Sequence, residues 1–354
     1  MKKSRLNELL VNFPSRRIVV IGDYFLDKYL EFDPDLAEIS LETGKAANQV
    51  VDIRHSPGAA GNVVANLIAL SAGEVIPLGF TGEDGEGFEM RRDLYRLGCK
   101  TDHLLCLANR HTPTYLKPRN SRVNSLEGES ERYDTKNREL LPQDAERRIM
   151  EHLRELLPQV DAVIIADQVE EEECGVITTG IRDALAQMAG EFPDVVFWTD
   201  SRRRIGLFRN VIIKPNQLEG VRAAFPDHKG QVDDELVLKA GRALYAQSKK
   251  PVFFTRAECG MLVFDENGCQ AVRGVRVEEP TDPTGAGDSA TAGSALALSS
   301  GSTLAEAALV GNLVASITIQ QLGVTGTASP EGLRARLELW HSQAASSQPP
   351  AASH

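Results

Sequence analysis

From Pro142 onward the sequence alternates, and that alternation restricts the fold more than any other feature. A helical stretch to Leu157 precedes the apolar run "DAVIIAD", and "ITTGIRDALAQMAG" precedes "VVFWTD". Then come "NVIIKPN", a further helical stretch and "PVFFTR". Short apolar runs rich in β-branched residues suit strands buried on both faces. Strands alternating with helices imply a mostly parallel sheet covered on both sides. "RIVVIGD", from Arg17, is a further strand of this kind and ends at Asp23. "GNVVANLIALSAG" reads as a helix closed by Gly73, and "DGEGFEMRRDLYRLG" as one stopped by Gly98. The segment "ECGMLVFDENGCQAV" reads as a hairpin turning at Asn267–Gly268. Two helices, Ala286–Ser300 and Leu304–Leu322, follow it.

Two regions depart from this pattern. "DKYLEF" with "NQVVDIRH", and "TPTYLKPR" with "SERYD", are shorter and more polar, as strands with one wet face are. They predict a small β lid from residues 24–55 and 112–133, inserted in one α/β domain of residues 16–330. Residues 1–15 form a helical extension, with no long apolar core or cleavage site of a signal peptide. "HSQAASSQPPAASH", residues 341–354, is of low complexity and is expected to be a disordered tail. The formal net charge of −11 disfavours nucleic acid and anionic membranes as partners. The five cysteines are dispersed, without a C-x-x-C pair, so free thiols in a reducing cytoplasm are expected and zinc is not.

In open α/β sheets ligands gather beyond the carboxyl ends of the strands. Asp23, Asp167, Asp200, Asn216 and Thr255 fall there, as does the loop opening "DPTGAGDSATAGSALAL" at residues 282–298. Neither G-x-x-x-x-G-K-[ST] nor a convincing G-x-G-x-x-G after the first strand is present, which disfavours P-loop and dinucleotide-binding proteins. The first amides of a helix have no internal partners and carry partial positive charge. Gly285, Ala286 and Gly287 would let a phosphate approach those amides closely. Asp288, next in line, could take a proton from an attacking hydroxyl. Taken alone, the same residues read more readily as a helix N-cap.

The motifs taken together resemble the PfkB (ribokinase-like) carbohydrate kinases. "DPTGAGDSATAGSALA" is similar to that family's C-terminal signature, and "SPGAAGNVVANLIALSAGEVIPLGFTGEDGEG" to its N-terminal one. "KPNQLE" resembles its N-x-x-E segment and "FFTRAECGMLVF" its T-x-G-x-x-G hairpin. Within the family, "VVIGDYFLDKYL" with "SPGAAGNVVANL" most resembles the heptose 7-phosphate kinases. The chain departs from that branch at "DQVEEE", at "DSRRR" and at Ala59, and no cytidylyltransferase domain follows.

The resemblance implies a ribokinase-like α/β fold with a β lid, and an ATP- and Mg2+-dependent sugar kinase, with a monovalent cation such as K+ as an optional activator. It implies Asp288 as general base, with Gly285, Ala286 and Gly287 as the anion hole. Asn216 and Glu219 would hold magnesium, mostly through water, although Asn216 also fits as the cap of the helix carrying Glu219. Lys214, Thr255, Gly260 and Asn312 would line the nucleotide. Asp23, Asp27, Gly58 and Asn62 would meet the sugar. Asp200 and Asp282 could equally satisfy loop amides. Lys117, Arg119 and Arg122 form a basic cluster on the second lid segment, suited to an acceptor that already carries phosphate or else to solvent. Arg202–Arg204 leave the same choice, with an arginine near the transferred phosphate as the functional option. The partners implied are a sugar or sugar phosphate and a second copy of the chain, paired through the lid. A nucleoside kinase on the same fold, and a nucleotide-binding regulator without turnover, stay open.

Overall fold

The computed structural model describes residues 1–123, 126–323 and 325–346. Helix α1 (Lys3–Asn12) leads into strand β1 (Arg17–Gly22). The lid strands β2 (Tyr24–Ile39) and β3 (Ala46–Ala59) follow, and β3 runs into α2 (Ala60–Ala69). Next come β4 (Glu74–Gly82), α3 (Gly85–Arg96) and β5 (Leu104–Leu107), then the lid strands β6 (Thr114–Asn120) and β7 (Tyr133–Thr135). The alternating half contains α4 (Gln143–Leu156), β8 (Ala162–Asp167), α5 (Thr179–Glu191), β9 (Val196–Ser201) and β10 (Ile212–Ile213). It continues through α6 (Gln217–Ala224), α7 (Asp234–Ser248), β11 (Val252–Thr255), β12 (Met261–Asp265) and β13 (Gly268–Val272). Helices α8 (Ala286–Ser299), α9 (Leu304–Thr318) and α10 (Pro330–Ser346) follow.

The main sheet has the order β13-β12-β11-β10-β9-β8-β1-β4-β5. It is parallel except at its β11-β12-β13 edge. Its two faces carry separate cores, divided by the period-two geometry of a strand. Ile18 and Val20 of β1 join the core under α1, α2, α8 and α9, whereas Val19 and Ile21 join the one under α4, α5 and α7. The inserted lid is a four-stranded sheet of order β3-β2-β6-β7, with β2 antiparallel to β3 and parallel to β6. Two glycines bring helices hard against the sheet. A Cβ at Gly220 of α6 would stand 2.1 Å from the Phe254 ring, and one at Gly241 of α7 would stand 2.2 Å from Phe264.

Several local expectations are corrected. The β12–β13 register pairs Asp265 with Gly268, so the hairpin turns at Glu266–Asn267, and Gly268 (φ +115°) opens the return strand. Helix α2 ends at Ala69, and Ser71 adopts the left-handed conformation; Gly73 instead permits a close approach to the Pro14 carbonyl. Two helices, α6 and α7, lie between β10 and β11, where the sequence suggested one. Strand β10 shrinks to two residues, since a proline two positions beyond Ile213 cannot donate to a ladder. The largest difference is α10, which carries residues 341–346 of the expected tail. Trp340 Nε1 donates to the Arg273 carbonyl at 3.0 Å, the Arg273 guanidinium stacks on its ring, and Gln343 bonds the backbone of Arg276. These contacts supply the packing that composition alone did not suggest. The remainder, 347–354, lies outside the described residues. No helix of the described residues is long and apolar enough to cross a membrane.

Candidate active site

The carboxyl ends of the strands face the first turn of α8. Gly285 caps that helix in the left-handed conformation (φ +75°), and no side chain takes its first amides. A Cβ at Gly285 would stand 2.4 Å from Asn62 Nδ2, so the turn closes only around glycine. One residue into the helix, a Cβ at Gly287 would meet nothing nearer than Lys214 Nζ at 3.6 Å. The Ala286 amide donates to the Pro283 carbonyl at 3.1 Å, and the backbone of Gly287 opens onto a cleft of about 530 Å³.

Asp288 borders that cleft. Its Oδ2 accepts a hydrogen bond from Asn62 Nδ2 at 2.9 Å. Asn62 is fixed in turn, because Asn66 Nδ2, one turn on in α2, donates to Asn62 Oδ1 at 3.1 Å. Asn66 was missed in the sequence; its i+4 spacing from Asn62 was the available signal. Burial pushes the Asp288 carboxyl up to about 7, the Asp200 charge adds to this, and Asn62 and Lys214 oppose it. Lys214 Nζ pairs with Asp200 Oδ2 at 2.9 Å in the buried floor, and Thr291 Oγ1 donates to the same oxygen.

Asn216, Thr255, Gly260 and Asn312 line the same cleft, beside Gln168 and Arg202. Asn216 and Glu219 form a capping box: Asn216 Oδ1 accepts from the Glu219 amide and Glu219 Oε2 accepts from the Asn216 amide, both at 2.9 Å. Two of the oxygens expected for a cation are thus held by backbone. The described residues gather no group of three or more His, Cys, Asp and Glu for direct ligation. A hydrated Mg2+ fits this arrangement, since it keeps its waters and asks few protein ligands. Asn312 Nδ2 donates to the carbonyls of Val272 and Arg273, pinning the end of β13 to α9.

Other residues fall differently from expectation. Asp23 does not reach the acceptor side: its Oδ2 accepts from the Gln168 and Val169 amides and its Oδ1 from the Val176 amide, at 2.7–2.9 Å. It anchors the loop after β8 because that loop, like any buried backbone, must satisfy its donors. Asp282 accepts from the Thr284 amide and is a loop brace. Asp167 is held by Arg204 at 2.8 Å and by Ser201 at 2.6 Å. Arg203 pairs with Glu170, and of the three arginines only Arg202 lines the cleft.

The basic cluster of the lid is likewise divided. Residues in β6 alternate, and Arg122 lies beyond the strand, paired with Asp33 and Asp35 at the surface. Lys117 and Arg119 share the inward face with Asp27, Tyr29 and Glu31 of β2, Lys117 standing opposite Tyr29 and Arg119 opposite Glu31. Lys117 Nζ is 2.7 Å from Asp27 Oδ1 and 3.2 Å from the Tyr29 hydroxyl, and both charged groups are buried. Asp27 Oδ2 lies over Gly58, whose Cβ would stand 2.4 Å away. Arg54 of β3 stacks on Tyr29, pairs with Glu31 and joins Arg119 around a second cavity.

Residues 16–331 match the sequence profile of the pfkB family carbohydrate kinases. The chain is 29% identical over 314 residues to the bifunctional protein HldE of Wolinella succinogenes, covering 86% of this chain and 61% of that protein. It is 29% identical over 352 residues to the protein of the same name from Pelobacter propionicus, covering 97% and 67%. It thus spans about three-fifths to two-thirds of these relatives. Among solved structures, Arabidopsis thaliana ribokinase complexed with ribose and ATP superposes with a TM-score of 0.68 at 18% identity, over 91% of this chain and 99% of that one. Escherichia coli phosphofructokinase-2 in complex with fructose-6-phosphate gives 0.66 at 20% identity, over 92% and 99%. Both show the ribokinase-like fold.

Proposed function

Since the chain belongs to the pfkB family of carbohydrate kinases, phosphotransferases that act on an alcohol group, we propose that it transfers the γ-phosphoryl group of ATP to a hydroxyl of a sugar or sugar phosphate. The observation that carries this is Asp288, held by Asn62 at the glycine-lined start of α8, which no side chain caps, and raised to about 7. A carboxylate of that basicity is matched to removing a hydroxyl proton near neutral pH. The acceptor oxygen then attacks the γ-phosphorus, the bond to the bridging oxygen breaks, and ADP leaves. The amide of Gly287 would meet charge on the transferred group, with Lys214 beside it, whereas the Ala286 amide is taken by the Pro283 carbonyl. Magnesium bound with the nucleotide would neutralise phosphate charge, and Asn216 and Glu219 would hold its water shell.

A kinase assay over aldoses, ketoses and their phosphates, with K+ titrated, tests the proposal: ADP should form only when an acceptor is present. No acceptor-dependent ADP from any member would sink it. A nucleoside acceptor is disfavoured because the lid's inward tyrosines are engaged, Tyr29 by Arg54 and Lys117, and Tyr115 by Phe25 and Arg132. Neither offers an open face for a base.

The heptose 7-phosphate branch that the sequence resembles favours a phosphorylated acceptor, and so do Arg54 and Arg119 around the second lid cavity. Arg119→Ala should then raise the acceptor KM about tenfold for a sugar phosphate and leave the free sugar unaffected. Equal effects on both would remove this preference. We place the enzyme in the cytoplasm, as a dimer joined through the lids, whose Leu36, Ile39, Leu41, Val50 and Ile53 stand exposed.

A further inference from the structure

A second group of basic side chains stands apart from the cleft. One face of α10, carrying Arg336 and Leu339, lies across the end of α9, at Ile317 and Gln320, and across the segment after β13, at residues 276–278. These elements border a cavity of about 480 Å³ that shares no lining residue with the cleft beside Asp288. Arg336 is half-buried there, yet among the described residues its guanidinium meets no carboxylate; its Nη2 donates to the neutral Gln320 Oε1 at 2.7 Å. Burial pulls this guanidinium below the usual arginine range, and no acid opposes the shift. Taking a cation out of water without a counter-ion is costly, so buried charges are normally paired. Arg276 borders the same cavity. Gln343 of α10 clamps its backbone, and among the described residues no hydrogen bond or ion pair reaches its side chain. Glu278 is the only acid among the lining residues, and it pairs with neither arginine.

We propose that this cavity binds a phosphomonoester whose body carries hydroxyls, Arg276 and Arg336 donating to the phosphate oxygens and Glu278 accepting from a hydroxyl. A guanidinium presents a planar fork of donors that matches a phosphate. A phosphomonoester brings about −1.5 to −2 charges at neutral pH, enough to serve both arginines. Val277, Ile317 and Leu339 give the C–H face of the body an apolar wall. The site is built from its own side chains, so it stands or falls apart from the kinase reading.

The test is calorimetric titration of the full chain with glycerol 3-phosphate, inorganic phosphate and glycerol at matched ionic strength, the cleft being filled by a non-hydrolysable ATP analogue with Mg2+. Glycerol 3-phosphate should bind saturably and more tightly than inorganic phosphate, and glycerol should not bind. Arg336→Gln should weaken glycerol 3-phosphate about tenfold, and the double variant Arg276→Ala with Arg336→Gln further still. Arg336→Lys keeps the charge without the fork and should lose less than Arg336→Gln. Glu278→Ala should shrink the advantage of glycerol 3-phosphate over inorganic phosphate. Because Arg336 has no acid partner, Arg336→Gln should melt no lower than the wild type, which separates lost binding from lost fold. Arg119→Ala, in the lid, should leave the titration unchanged. Equal affinity in the wild type and the double variant would overturn the proposal, as would displacement by the ATP analogue or loss of binding in Arg119→Ala.

Discussion

At the scale of single residues, Asp288 sets the behaviour that should be easiest to measure. If Asp288 is the base, its protonated form cannot take the acceptor's proton, so activity should be present above about pH 7 and lost as the pH falls through it. kcat/KM should drop about tenfold per unit on the acid side. Asn62 holds the charged form down, so Asn62→Ala should move that limb to higher pH, and an unmoved limb would show that Asn62 does not tune the base. Asp288→Asn should lose about 10²–10⁴-fold in kcat while ATP still binds, as judged by titration; near-normal turnover would rule out the base. The same raised value has a stability side. The folded chain holds this proton more tightly than the unfolded one, so the stability it contributes is lost as the pH rises through about 7. Thermal melts should therefore show Asp288→Asn more stable than wild type at pH 8, with the gain fading towards pH 4. The place of Asp288 in the first turn of a helix was legible in the sequence because the glycines before it announce that start. Asp23 was misread, because an acid at a strand end looks the same whether it meets a sugar or three amides that come from residues some 145 to 153 positions away.

The elements behave as separate designs. Helix α6 is started by a capping box, and Asn216→Ala should cost about 1 kcal/mol in chemical denaturation, within a range of roughly 0.5–2. If the same change also raises the KM for ATP several-fold, Asn216 acts on the nucleotide besides capping; an unchanged KM would leave it a cap alone. Amphipathic helices such as α4, with Ala145, Ile149, Leu153 and Leu156 on one buried stripe, could be read directly. Helix α8 could be read only through its motif, since Ser289 to Ala297 are buried on every side and leave no polar face. Helix α10 was hidden because its anchors, Arg273 and Arg276, lie over sixty residues upstream. The lid strands were placed by their polar character, but their ends were not. Strand β3 runs on to Ala59 and delivers α2, and with it Asn62, directly to the site.

For the whole molecule, the lid joins the main body by charge as well as by chain. Lys28 of β2 bridges to Glu86 and Glu89 of α3, and His55 of β3 bonds Asp93 of the same helix. If two lids pair, Ile53→Asp on the exposed lid surface should give monomers by sedimentation; a dimer that persists would point to another interface. The mostly parallel sheet covered on both faces followed from alternating periodicity; the order of its nine strands, and the single strand β12 that runs against the rest, did not. What no periodicity could disclose is how closely α6 and α7 press on the sheet. Neither Gly220 nor Gly241 lines the cleft beside Asp288, yet each stands where a methyl group would overlap an aromatic ring. In a saturation library selected for turnover, these two positions should be as intolerant as Asp288, and every survivor should also carry a smaller residue at Phe254 or Phe264. Invariance in such a screen would then record space rather than chemistry, and only the compensating partner would tell the two apart.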